Sequence, residues 1–302
     1  MKKKYLLILC SCILSLTMVL ASIMPGMKDV QGISKVYQVK AEDGVITSGD
    51  WEYKIYNSYN DEIEITKYNG NDKELKVPET IDEHKVVSIS QFAIDYEPLT
   101  TITFPKTIES IGSSGQEFRK GKNLTSIKVE DSQYGDKYWT DEDGTLYSYY
   151  MTHTDQDQTE YTDYLTLIYC PKARNSKSYT IDDKVTAIDR DAFADCYSLE
   201  EVKLRNGVQK IEVGAFTNCT NLTSLDLPKS VKKIGYNAFV RCDKLALYNV
   251  AKENESYCDV DGVLYTKNKM KLVSYPRGKE AADQTYVVDS SCKELEQSAF
   301  SR

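Results

Sequence analysis

This sequence predicts a β-rich α/β solenoid. Its short strands and short helical or 3₁₀ turns would stack as a right-handed curved array, broken by two β-hairpin insertions. Three observations predict it. Identical residues recur every 23 positions, apolar residues alternate within each copy, and two Asp-Gly turns interrupt the period at related points. The period is clearest at 178–250. Leu199, Leu222 and Leu245 keep the step, as do Val185, Val208 and Val231, and Ile188, Ile211 and Ile234. So do Ala192, Ala215 and Ala238; Phe193, Phe216 and Phe239; and Cys196, Cys219 and Cys242. One such copy cannot bury its own apolar side, whereas stacked copies share a continuous core.

At the N-terminus, Lys2, Lys3 and Lys4 precede an apolar run from Tyr5 to about Met24, the pattern of a secretory signal. Residues 1–21 are read as that signal, with Val19, Leu20 and Ala21 before the cut and a later candidate cut after Ala41. The mature chain is then exported, and it meets a membrane only if this segment stays uncleaved. Residues 22–49 are expected to be a linker. Residues 50–130 form an N-terminal hairpin cap and the first repeats, with Leu75, Val77 and Pro78, then Leu99, Ile102, Phe104 and Pro105, at the strand positions. Residues 131–177 carry the first hairpin insertion, through Asp143 and Gly144.

In the regular copies at 178–250, the segment from Leu222 alternates near its end, at Leu225 and Leu227, as a strand that Pro228 ends. Val231 and Ile234 form a second extended piece and Gly235 turns the chain. Ala238, Phe239 and Cys242 should then point inward from a helical or 3₁₀ turn. Residues 251–277 repeat the insertion through Asp261 and Gly262. Residues 278–302 begin a further copy with Cys292, Leu295, Ala299 and Phe300, and the sequence stops in mid-repeat.

Composition narrows the function. Lys and Arg total 38 against 46 Asp and Glu, a net charge of -8 over 302 residues. Such a surface repels a phosphate backbone, which argues against nucleic acid as partner. Tyr is abundant, 23 against 7 Phe and 2 Trp, and suits half-buried strands and contact surfaces. His84 and His153 are the only histidines and sit in no catalytic motif, so they read as exposed loop residues. No catalytic, cofactor or metal residue is assigned and no enzyme activity is expected. Asp141, Asp143 and Gly144 resemble part of a calcium loop, but Trp139 occupies the first ligand place and no Glu closes it, so the segment reads as a turn. The Cys ladder reads as buried free thiols, because paired ligand spacings are absent. Cys170, Cys258 and Cys292 lie off the ladder with their disulfide status open.

The pattern L-x-x-[ILV]-x-[LVF]-P followed by V-x-x-I-x-x-x-A-F-x-x-C resembles the BspA-type leucine-rich repeat family of surface proteins. The resemblance covers roughly residues 50–302. It implies a leucine-rich-repeat solenoid on a cell surface, used for adhesion or ligand capture without catalysis. Expected partners are a host or microbial surface protein or a glycan. Two candidate surfaces emerge from the residues. One is the outward side of the leading strands: Thr101, Thr103, Ser126, Lys128, Glu201, Lys203, Ser224 and Asp226. The other is the tip of the first hairpin, which is 13 residues longer than the second and carries Tyr149, Tyr150, Tyr161 and Tyr164. The alternative is a targeting module of a secreted enzyme whose catalytic domain is not in this chain.

Overall fold

The structure is a computed structural model and describes residues 38–40, 44–112, 118, 120–153, 161–279 and 285–301. The expected signal segment lies outside the described residues, as do positions 154–160 of the first hairpin and the side chains of His153 and Tyr161. Every described strand belongs to the compact unit 38–302.

That unit is a β-solenoid of about nine turns. Its turns contribute leading strands and second strands, the latter two to six residues long. Leading strands pair in parallel as a three-stranded sheet of Glu74–Lys76, Thr101–Phe104 and Ser126–Val129. A four-stranded parallel sheet comes next, made of Ser178–Thr180, Glu201–Lys203, Ser224–Leu227 and Leu247–Val250. These are the front sheets. The second strands form the back sheets. One runs Val185–Ile188, Lys210–Ile211 and Lys233–Ile234, and its partners stand in register at a step of 23.

Each back sheet opens with a hairpin whose second strand runs parallel to the first short strand. Trp51–Asn57 and Glu62–Tyr68 lead into His84–Ile89. Leu146–His153 and Tyr161–Tyr169 lead into Val185–Ile188. Val263–Thr266 and Lys271–Ser274 lead into Glu294–Leu295. The same device therefore occurs three times. Residues 22–49 are not wholly a linker: Gln38–Lys40 and Val45–Ser48 are strands that extend the first hairpin antiparallel. Ile46 there packs against the first core, which is reason enough for the segment to be ordered onto the sheet.

The core repeats with the sequence. Leu199, Leu222 and Leu245 are buried above one another, as are Val185, Val208 and Val231. Phe193 and Phe216 stack with ring centroids 4.9 Å apart at 8°, and Phe216 and Phe239 at 5.9 Å and 20°. Each coil thus buries about six apolar side chains, worth roughly 1.5–3 kcal/mol apiece before chain entropy is subtracted.

The expected helical turns do not form: no element of the described residues is a helix, and 3₁₀ geometry is assigned among them at Phe118 alone. The backbone explains why. Amides of Ala192, Ala194 and Cys196 bond three residues back, to Asp189, Asp191 and Phe193. The intervening amides of Asp191, Phe193 and Asp195 bond across to Val213, Ala215 and Thr217 of the next coil. The next turn repeats this, with Phe216 bonded to Ala238 and Asn218 to Val240. Half the amides a helix would use internally are therefore spent on the neighbouring coil. Left-handed residues enforce the pattern at Asp191, Gly214 and Asn237, and again at Asp195, Asn218 and Arg241. Asp, Asn and Gly tolerate that conformation best, and none continues a helix from it.

The Asp-Gly turns have a packing role. Gly144 has φ +73, and a Cβ there would lie 2.7 Å from the Ser126 Cα and 2.9 Å from the Ile127 amide nitrogen. Its carbonyl accepts from Ile127, so the turn covers the last strand of the first front sheet. Gly262 sits likewise over Leu247, and its carbonyl accepts from Tyr248. Beside each turn a Tyr hydroxyl closes the back sheet: Tyr138 accepts from Ile111 N and Tyr257 from Ile234 N.

Candidate functional site

The leading strands alternate strictly. Ile102, Ile127, Val202 and Leu225 point inward, and the eight candidate residues of the repeat face point outward. They fall into two groups, because the hairpin turn at Gly144 separates the front sheets. Ser126 stands beside Thr101 and Lys128 beside Thr103 in the first sheet. Ser224 stands beside Glu201 and Asp226 beside Lys203 in the second. Lys128, Glu201, Lys203 and Asp226 are exposed; Thr101, Thr103, Ser126 and Ser224 are half-buried.

Charges on this face are balanced locally. Lys203 lies 3.5 Å from Glu201, and Asp226 accepts a 2.7 Å hydrogen bond from Asn249. Lys76 meets Glu130 at 2.6 Å, and that contact raises the lysine's pKa. Exposed pairs of this kind stabilise the fold little and yield readily to a partner.

The hairpin tyrosines do not sit at a tip. The ladder continues to the pair His153 and Tyr161, so Tyr149, Tyr150 and Tyr164 belong to the stem. Strand alternation then divides them. Tyr149 packs against the buried core, with its ring 6.0 Å from Tyr134. Tyr150 and Tyr164 are cross-strand partners on the opposite face, stacked at 5.2 Å and 15°. The backbone of Tyr161 lies in the ladder.

That stacked pair forms one wall of a groove of about 260 Å³ on the outer face of the back sheet. Its floor comes from Ser148, Thr166 and Ala187, and its far side from Gln209, Lys210 and Glu212, with Asp189 between. The cause is local. Thr166, Ala187, Lys210 and Lys233 occupy one rung of the sheet, and Ala187 is the small member. Lys210 places its ammonium 5.9 Å from the Tyr164 ring centre. Glu212 pairs with Lys233 at 3.5 Å. Burial raises the Asp189 carboxyl above its usual range, the Arg190 amide opposes that, and the Glu212 charge adds to it. Asp189, Lys210 and Ala187 were not singled out in the sequence. The available signal was the break in a Lys-Lys column, where Ala187 precedes Lys210 and Lys233 at the 23-residue step.

Other polar groups are structural. Asp141 accepts from the Thr145 amide at 2.8 Å and from the hydroxyls of Tyr147 and Tyr179 at 3.0 and 2.6 Å. Asp143 pairs with the buried Arg174 at 2.8 Å, and that guanidinium lies 4.5 Å over the Tyr179 ring. These carboxylates thus clamp the turn to the next coil. The ladder thiols of Cys219 and Cys242 donate to the Phe193 and Phe216 carbonyls of the preceding coil, at 3.0 and 3.1 Å. All six described cysteines are free, and burial pushes the Cys219 thiol well up. His84 is not in an exposed loop: it begins a strand, half-buried, with its ring 6.3 Å from Tyr53.

A family model for the BspA type leucine rich repeat region matches residues 71–138 and 169–261, in 6 copies. A leucine rich cell surface protein from Faecalibacterium prausnitzii shares the fold, with a TM-score of 0.50 and 24% identity over 78% of this chain and 62% of that one. The pneumococcal vaccine antigen PcpA aligns at a TM-score of 0.46 and 21% identity over 85% of this chain and 61% of its own. A leucine-rich repeat protein from Eubacterium ventriosum aligns at 0.46 and 16%, over 82% and 83%. The chain thus spans about 62% and 61% of the first two of these structures. No curated protein matches it in sequence.

Proposed function

The chain belongs to the BspA type leucine rich repeat family, and from that premise we propose that it is a non-enzymatic ligand-binding module working at a cell surface. The observation that carries this reading is the front face. Its outward rows are polar, mixed in sign and aligned coil by coil, while the inward rows supply the apolar core. Side chains that do no packing are available for a partner. Surface exposure fits the description of the Faecalibacterium structure as a cell surface protein. The partner class proposed is a host or microbial surface protein or a glycan.

The test is saturable binding of the full chain to immobilised matrix proteins, mucin and whole cells. Lys128→Glu, Lys203→Glu and Asp226→Lys should together weaken binding at least tenfold with the melting temperature unchanged. A folded chain that binds none of these surfaces would reject the reading.

A further inference from the structure

The groove on the back sheet has a composition that restricts its ligand. Tyr150 covers one face of Tyr164, and the Lys210 ammonium stands over the ring 5.9 Å from its centre, so a ligand that stacks on Tyr164 from the groove swings this long side chain aside. Opposite lie a carboxylate, an amide and an ammonium: Asp189, Gln209 and Lys210. A cationic ligand would meet Lys210, and an anionic one would meet Asp189 and Glu212. A purely apolar ligand would leave these polar groups desolvated and unpaired. An uncharged molecule with one flat apolar face and several hydroxyls suits this mixed lining, because it can accept from Lys210 and Gln209, donate to Asp189 and pack on an aromatic ring. The Asp189 Oδ1 already accepts the Arg190 amide at 2.7 Å, so its other oxygen is the acceptor open to such hydroxyls.

We propose that this groove binds a neutral pyranose unit of a glycan, stacked on Tyr164 and hydrogen-bonded by Asp189, Gln209 and Lys210. The proposal rests on the ligand-binding reading above and names a site and ligand class for it. At 260 Å³ the groove falls just below the roughly 300 Å³ at which drug-sized pockets begin, so it takes one sugar ring. A single ring held this way binds with a Kd of about 1 mM, and several copies on a surface would be needed for firm attachment.

The repeat supplies a clean blocking variant. Positions equivalent to Ala187 carry Lys210 and Lys233, so the coil accepts a long outward side chain there. The test titrates the full chain with maltohexaose, cellohexaose and lacto-N-tetraose by saturation-transfer NMR, with sialyllactose as an acidic control. At least one neutral saccharide should bind. Tyr164→Ser should weaken it about tenfold or more, Tyr164→Phe should keep it, and Ala187→Tyr should abolish it. Lys229→Glu, at an exposed position outside both the groove and the front face, should leave it unchanged. Absence of any neutral binding would overturn the proposal, as would binding that survives both Tyr164→Ser and Ala187→Tyr, or binding confined to sialyllactose. Retained capture of matrix proteins or cells alongside no saccharide binding rejects the groove alone; loss of both rejects the broader function as well.

Discussion

Lys172 keeps only 5% of its side chain in water, and Asp195 of the next turn meets it at 2.9 Å. Burial alone would raise the Asp195 carboxyl. Hydrogen bonds from Asn218 and Lys172, with the charge of Lys172, outweigh burial and leave it below its ordinary range. A carboxyl depressed in the folded state stabilises above its unfolded pKa of about 4 and loses that contribution as pH falls through the folded value. Asp195→Ala should therefore cost about 2 kcal/mol at pH 7, less than a fully buried pair because Asp195 stays a third exposed. The deficit relative to the parent should shrink as pH falls below about 4. Urea titrations of both proteins at pH 7 and pH 3 measure it, and an equal deficit at both pH values would contradict the assignment. None of this was legible in the sequence, where Lys172 and Asp195 are 23 positions apart among many charges. The Cys ladder was legible as buried thiol, but not its reason: the coil offers each thiol a carbonyl from the preceding turn.

Among the elements, the turn that carries the Phe ladder shows how periodicity and backbone differ in what they disclose. The inward positions of Phe193, Phe216 and Phe239 followed from the repeat, since equivalent residues of stacked coils meet the same surroundings. Their secondary structure did not follow. Ala and Phe spaced for a turn are compatible with a helix until the next coil competes for the amides, and the competing carbonyls lie 22 residues away. Phe216 is covered by rings on both sides, so Phe216→Ala should destabilise by about 3–5 kcal/mol, by the loss of apolar burial and the cavity left behind. Phe239, with a ring stack on one side and Tyr248 tilted against it at 5.3 Å, should lose less when truncated. Thermal melts of the two variants compare them. The hairpin tyrosines teach the same point at the strand level. Composition located them, but only the ladder register sent Tyr149 inward and Tyr150 and Tyr164 outward.

Across the whole molecule, stability should be uneven. The coils at 178–250 share a large core, whereas Val263, Tyr265, Leu272 and Ala299 form a small separate cluster. Leu295 and Phe300 there remain about half exposed. Hydrogen exchange should accordingly show the Glu294–Leu295 coil opening before the strands Glu201–Lys203 and Ser224–Leu227, and uniform protection would contradict this. Sequence by itself determined the period, the inward and outward rows of the leading strands, and the stacking of equivalent side chains. Those properties are local or repeat along the chain, so one copy's pattern discloses its neighbour's. Tertiary structure alone decided which amides leave the turn for the next coil, which buried cations find counter-charges, and where a groove opens. The last depends on Tyr164, Ala187 and Lys210, which stand on three adjacent strands and come together only through sheet register.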